Sequence, residues 1–288
     1  MALVHKLIQS LYFPFCAYNK VLEFLKLQSP QNLRVLIYHD ISPEEENNFE
    51  NQILWLKKSW KFVSADDFIA MKSGQKPIVG NNLLLTFDDG FFSNRIVAEK
   101  YLNPLGIKAL FFIISDFVAI EDVKKSKEFI SKNIFPGESI SNISSHMRNM
   151  TWKDVDFLYK SGHTIGAHTQ THARLSDINE TDFLNKEIIY SAESLESRLG
   201  IKINHFAFPF GNLKSFNSAA LQVSRRKFAY IHTGLRGNNK VNTPHWAIRR
   251  DAIQPTDTSS LMGGFLLGLA DWGYKKDLFE YQKMNSEK

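Results

Sequence analysis

A chain of 288 residues with 43% hydrophobic content can bury one large core, and no Gly-, Ser- or Pro-rich linker divides its middle. Its single cysteine, Cys16, excludes both an intrachain disulfide framework and a cysteine-ligated structural zinc. The net charge of +5 is modest, and the clusters Arg225-Arg226-Lys227 and Lys275-Lys276 come with no nucleic-acid-binding motif, so nucleic acid is not an expected partner.

The first expected unit, residues 1–29, is a helical segment rich in Leu, Phe and Tyr from Leu3 to Leu27, interrupted by Lys6, Gln9, Asn19, Lys20, Glu23 and Lys26. No run of about 18 apolar residues occurs, which excludes a spanning helix. Gln9, Ser10 and Pro14 break the apolar stretch, and no small-x-small cleavage site follows, so a signal peptide fits poorly. Two readings are open: a helix packed on the following domain, or an amphipathic helix lying on a membrane through residues 3–27. On this basis a cytoplasmic or membrane-peripheral location is expected ahead of a periplasmic or secreted one.

From residue 30 to 288 short apolar strands alternate with amphipathic helices. The expected strands are Val35–Tyr38, Lys61–Val63, Leu83–Phe87, Lys108–Ile114, His163–His168, Asn204–Phe208, Phe228–His232 and His245–Arg249. Phe49, Ile53, Leu56 and Trp60 recur at helical spacing. Thr151 reads as the N-cap of a helix running to Lys160, and Asp182–Leu199 as another helix, stopped by Gly200. This alternation predicts an α/β domain built on a parallel sheet. Residues 115–150 hold Pro136-Gly137 and no clean strand pattern; they read as an insertion over the mouth of the sheet, walling a site, or as a partly disordered excursion.

Two constellations carry chemistry. The apolar run Leu83-Leu84-Leu85-Thr86-Phe87 ends abruptly in Asp88-Asp89-Gly90, and neighbouring carboxylates at a strand end repel unless a cation or proton lies between them. A capped Asp-Gly turn is the plainer reading. His168 and His172, four residues apart, can bring two imidazoles to one point. One Asp with two His leaves an open position on a Zn²⁺-like ion, as catalytic sites do.

Thr86-Phe87-Asp88-Asp89-Gly90 and His168-Thr169-Gln170-Thr171-His172 resemble the first two motifs of the polysaccharide deacetylases, carbohydrate esterase family 4, and Phe206-Ala207-Phe208-Pro209-Phe210-Gly211 resembles the third. The resemblance runs from about Val35 to Ile253. It implies a distorted (β/α) barrel of about seven strands, TIM-barrel-like. It also implies a metal-dependent hydrolase that removes N-acetyl groups from amino-sugar residues of a poly- or oligosaccharide or glycan precursor. Asp89, His168 and His172 become ligands of one divalent ion, Zn²⁺ by default with Co²⁺ or Ni²⁺ suited to the same donors. Asp88 becomes the general base, and the N–H of Phe210, aimed by Pro209, an oxyanion donor.

The chain departs from the common pattern at Ala207, where the third motif usually begins with Arg. Leu36-Ile37-Tyr38-His39-Asp40 resembles the opening strand of a circularly rearranged branch that includes poly-N-acetylglucosamine deacetylases. There His39 would be the general acid. Trp246-Ala247-Ile248-Arg249-Arg250-Asp251 resembles that branch's late strand, which places Trp246 beside the substrate and lets one arginine replace the missing one. The register of Ile248 and Ile253 favours Arg250 as the group that keeps Asp88 ionised. His232 is a second acid candidate; His163, His205 and His245 read as structural, and His5 and His146 lie outside the motifs. Competing expectations are a deacetylase or deformylase of a lipid-linked sugar, a hydrolase of cyclic amides, and a catalytically silent carbohydrate-binding homologue.

Overall fold

A computed structural model describes residues 2–27 and 29–284. Helix α1 (Ala2–Phe24) precedes strand β1 (Gln31–Tyr38), and then α2 (Glu46–Lys57), β2 (Lys61–Phe62), α3 (Ala65–Lys72) and β3 (Gly80–Phe87) follow. After α4 (Phe92–Val97) come β4 (Leu110–Ile113), the short helices α5 (Ser115–Val118) and α6 (Val123–Phe129), α7 (Trp152–Lys160) and β5 (Thr164–Ala167). The chain continues through α8 (Thr181–Leu199), β6 (His205–Ala207), α9 (Ser218–Lys227), β7 (Tyr230–His232), β8 (Asp251–Ala252), α10 (Ser259–Leu266) and α11 (Lys275–Met284).

All strand pairings are parallel, in the order β7-β6-β5-β4-β3-β1-β8, with β2 beside the first half of β3. Residues 245–252 connect the two edges. They bond to β7 through Ile231 N to the His245 carbonyl (2.9 Å) and Ile248 N to the Ile231 carbonyl (3.0 Å), and they pair with β1 at Leu36 and Ile37. The result is a distorted (β/α) barrel. The expected strand His245–Arg249 is corrected: the ladder forms at Asp251–Ala252, while Ile248 makes only an isolated bridge to His232. A turn closed by Ala247 N on the Pro244 carbonyl delays the extended backbone.

Alternation explains the two cores. In β3, Leu84 faces the lumen with Val35, Leu110, Phe112 and Ile248, whereas Leu83, Leu85 and Phe87 face the helices. Each fully buried side chain of this kind contributes about 1.5–3 kcal/mol. Gly166 in β5 is required by the lumen filling, because a Cβ there would lie 2.7 Å from the Phe112 ring. Reciprocal Thr151–Asp154 bonds cap α7. Within residues 115–150, Phe117, Ile130, Ile134 and Ile143 join Phe91 and Ile114 in a separate small core.

Helix α1 packs on α10. Tyr12 and Ile8 lie directly against Gly263 and Gly264, His5 meets the Phe265 ring edge-on at 5.7 Å, and Gln9 donates to Thr258 Oγ1 at 2.8 Å. No helix among the described residues is long and apolar enough to cross a membrane.

Candidate metal and catalytic site

The site lies at the C-terminal ends of the strands, where side chains leave the lumen. Backbone pairing between β1 and β3 extends one residue beyond the strand, with Asp88 N donating to the Tyr38 carbonyl at 3.0 Å, so Asp88 keeps a strand's orientation. Asp89 then turns into the left-handed region (φ 75°), which separates the two carboxylates. Thr169 (φ 63°) and His172 (φ 64°) have the same unusual backbone, as does Phe210 (φ 61°). Four non-glycine residues in this region at one rim mark backbone strained to aim side chains at one point.

Among the described residues, Asp89, His168 and His172 form a buried group whose donor atoms all lie within 4.8 Å of one another. Asp89 Oδ1 lies 3.4 Å from Nε2 of each imidazole and has no hydrogen-bond partner. His168 Nδ1 sits 2.8 Å from the Ala207 carbonyl, and His172 Nδ1 sits 2.9 Å from the Asn133 carbonyl. A carbonyl can only accept, so each Nδ1 carries its hydrogen; Asp89 and Asp88 raise His168 against its burial, and in the neutral form that ligation requires, each ring turns a bare Nε2 toward Asp89. Three buried acceptors thus converge with no donor among them. That arrangement fits a divalent cation.

Asp88 stands beside this group, with Oδ2 4.0 Å from His168 Nε2. Arg250 grips it with both arms of the guanidinium, at 2.7 and 2.9 Å. Arg250 is itself fixed by Nε donating to the Thr233 carbonyl (3.0 Å) and by its packing over the Phe112 ring. Burial alone would raise the Asp88 carboxyl; the charge of Arg250, followed by His168 and His39, overcomes it and holds Asp88 below the usual carboxylate range. Asp89 is likewise held low against its burial by His168, His172 and His39. Burial pushes the His172 imidazole down to about 4, which favours the neutral form a ligand needs.

His39 follows β1 directly, and its carbonyl accepts from Asn94 Nδ2 at 2.7 Å. Pro209 and Phe210 lie in the loop after β6, where the Phe210 ring packs 4.6 Å from the His172 ring and under the Arg174 guanidinium. Arg249 points away from Asp88 and donates to the Asn238 carbonyl. Trp246 is not brought to the site: it contacts Tyr281 of α11 and Arg225 of α9, because the turn after Pro244 directs it outward. His232 is fully buried in the lumen beside His205 (3.1 Å between ring nitrogens), and burial drives it well below the ordinary histidine range. His163 accepts from Ala109 N and pairs with Asn103, in keeping with a structural role.

The polysaccharide deacetylase family profile matches residues 76–227, more than half of the chain. This chain is a member of that family. The Bacillus subtilis (strain 168) protein YxkH, named as a polysaccharide deacetylase, is 21% identical over 252 residues, covering 84% of this chain and 79% of its own. IcaB from Ammonifex degensii superposes with a TM-score of 0.64 at 22% identity, over 83% of this chain and 99% of that one. Streptococcus pyogenes deacetylase PplD, solved with acetate, gives a TM-score of 0.63 at 20% identity, over 81% and 97%. At these identities the two structures establish the shared fold, and the profile establishes the family.

The Asn133 carbonyl was missed from sequence. It comes from a π-helical turn at residues 130–134 in the 115–150 insertion, and the same residue's side chain donates to the Thr171 carbonyl at 2.8 Å. A backbone acceptor has no side-chain signature, so no motif could have revealed it.

Proposed function

We propose that this polysaccharide deacetylase is a metal-dependent hydrolase that removes N-acetyl groups from amino-sugar residues of a glycan, releasing acetate and a free amine. The observation that carries this reading is the pairing of two unlike carboxylates. Asp89 faces two imidazole lone pairs, and Asp88, one residue earlier, is kept ionised by a bidentate arginine. A pure binding site has no use for an ionised base beside a cation site. The acetate bound to PplD accords with acyl transfer to water.

Asp89, His168 and His172 would hold one divalent ion, with Zn²⁺ favoured by the N/N/O donor set and Co²⁺ or Ni²⁺ compatible. Such an ion supplies Lewis acidity, acidifying water and polarising an acyl oxygen. Asp88 accepts the proton of the attacking water at Oδ2, the oxygen nearer His168. Arg250 keeps that carboxylate unprotonated before the reaction and in plane during it. The Phe210 N–H donates to the oxygen of the tetrahedral species, with the loop held in place by the contact of its ring with His172. His39 delivers a proton to the departing amine as the C–N bond breaks.

The test is acetate release across N-acetylated chitooligosaccharides, poly-N-acetylglucosamine and lipid-linked amino sugars, with chelated and metal-reconstituted enzyme. Activity on at least one N-acetylated substrate, lost on chelation and restored by Zn²⁺, is expected. Turnover indifferent to chelation would refute the reading.

A further inference from the structure

We infer that the outer face of α1 is a docking surface for an anionic lipid bilayer, with the helix lying flat on the membrane. At the 100° per residue of an α-helix, Leu3, Leu7, Leu11, Tyr18, Val21 and Leu25 (just beyond the helix end) fall within an arc of about 80°. All are exposed, from 45% at Leu11 to 82% at Leu3. Scattered single exposed apolar residues are ordinary, but a stripe this long is not.

The helix cannot rotate to hide the stripe. His5, Gln9 and Tyr12 occupy its opposite side and are committed to Phe265, Thr258 and Gly263 of α10 and its cap. A fixed inner face therefore dictates which residues look outward. The outer face also asks for little hydrogen bonding. Ser10, its polar member besides the Tyr18 hydroxyl, donates back to the Lys6 carbonyl at 2.9 Å. A bilayer surface suits a face with few polar groups to satisfy, whereas a protein partner ordinarily matches polar groups at its rim.

Charge favours the same occupant. Lys6 lies beside the stripe and Lys26 follows the helix, both exposed, while Lys20 lines the same inner cavity as Glu23. The sole acid of α1, Glu23, lies on the inner side, lining a cavity of about 400 Å³ between the helix and the start of the barrel strands. Lysines flanking an apolar arc with no acid on it complement anionic headgroups. With no spanning helix among the described residues, the mode is interfacial rather than transmembrane.

The experiment is co-sedimentation of the full chain with vesicles of phosphatidylcholine containing phosphatidylglycerol, against vesicles of phosphatidylcholine alone, alongside light scattering without lipid. The wild type is expected to pellet with the anionic vesicles, less so at high salt, and to be monomeric in solution. Leu7→Glu with Val21→Glu should abolish pelleting, with circular dichroism and the unfolding midpoint little changed because both side chains are more than half exposed. Lys6→Gln with Lys26→Gln, both exposed positions, should lower the partition coefficient about tenfold on anionic vesicles. Failure of the wild type to pellet would overturn the proposal, as would pelleting that both double variants retain. A lipid-free dimer dissolved by Leu7→Glu with Val21→Glu would assign the face to a second copy of the chain instead.

Discussion

Two buried arginine–aspartate pairs lie one residue apart and do different work. Arg250 turns into the lumen and grips Asp88, while its neighbour Asp251 turns outward, where Arg34 of β1 binds it at 3.0 Å. Arg34 also reaches Asp271 at 2.7 Å and the Phe265 carbonyl, tying β1, β8 and the segment after α10 together. Both arginines are about 1% exposed. Burial pushes Asp251 up to about 6 against Arg34 and Arg236, whereas Asp88 is held below its ordinary range. The lesson is that an ion pair has no role of its own. On the proposed reading Asp88 serves as a base because it opens onto three converging acceptors at the strand ends, whereas Asp251, fully buried between Arg34 and Arg236, ties strands together.

If that contrast is correct, damage to the two pairs should register in different measurements. The largest effect is expected for Asp88→Asn, which should lower turnover by about two or more orders of magnitude per folded molecule, measured by acetate release. His39→Ala should cost about 10² in kcat on an acetylated amine and much less on an aryl ester, whose leaving group needs no proton. A loss equal on both substrates removes His39 from the reaction. On the other pair, Arg34→Met should leave kcat of the folded enzyme unchanged but cost about 3–5 kcal/mol in urea unfolding, because Asp251 loses its main partner while still buried. An Arg34→Met enzyme of full stability, or one that is stable but inactive, would erase the distinction.

The smallest effect concerns a histidine outside both pairs. Burial, followed by Lys108, pushes His163 down to about 4 from the ordinary 6.5. The unfolded chain then takes up this proton first, so the contribution is complete above pH 6.5 and fades as pH falls toward 4. At pH 5 the loss amounts to about 2 kcal/mol. Urea midpoints at pH 7 and pH 5 should therefore differ more for the wild type than for His163→Gln.

The parts of the site carried by side chains were open to reading from sequence. Asp88-Asp89, His168 and His172 announce themselves by residue type and spacing, and the alternation that places Ile248 in the lumen also places Arg250 there. The parts carried by backbone were not. Left-handed φ at Asp89, Thr169, His172 and Phe210 has no glycine to signal it, and the Ala207 and Asn133 carbonyls that set both imidazole tautomers could belong to any residue. Trp246 shows the reverse error: a motif neighbour of Arg250 was expected at the substrate, and a local turn sends it to α11 instead. The paired glycines Gly263-Gly264 read as nothing in particular until α1 is seen lying against them.

On the proposed reading the adjacent carboxylates divide the labour, Asp89 holding the metal and Asp88 moving the proton. Elemental analysis of purified Asp88→Asn beside Asp89→Asn tests it most directly. About one divalent ion per chain is expected in the wild type and in Asp88→Asn, and a much lower content in Asp89→Asn. Equal metal content in the two variants would contradict it.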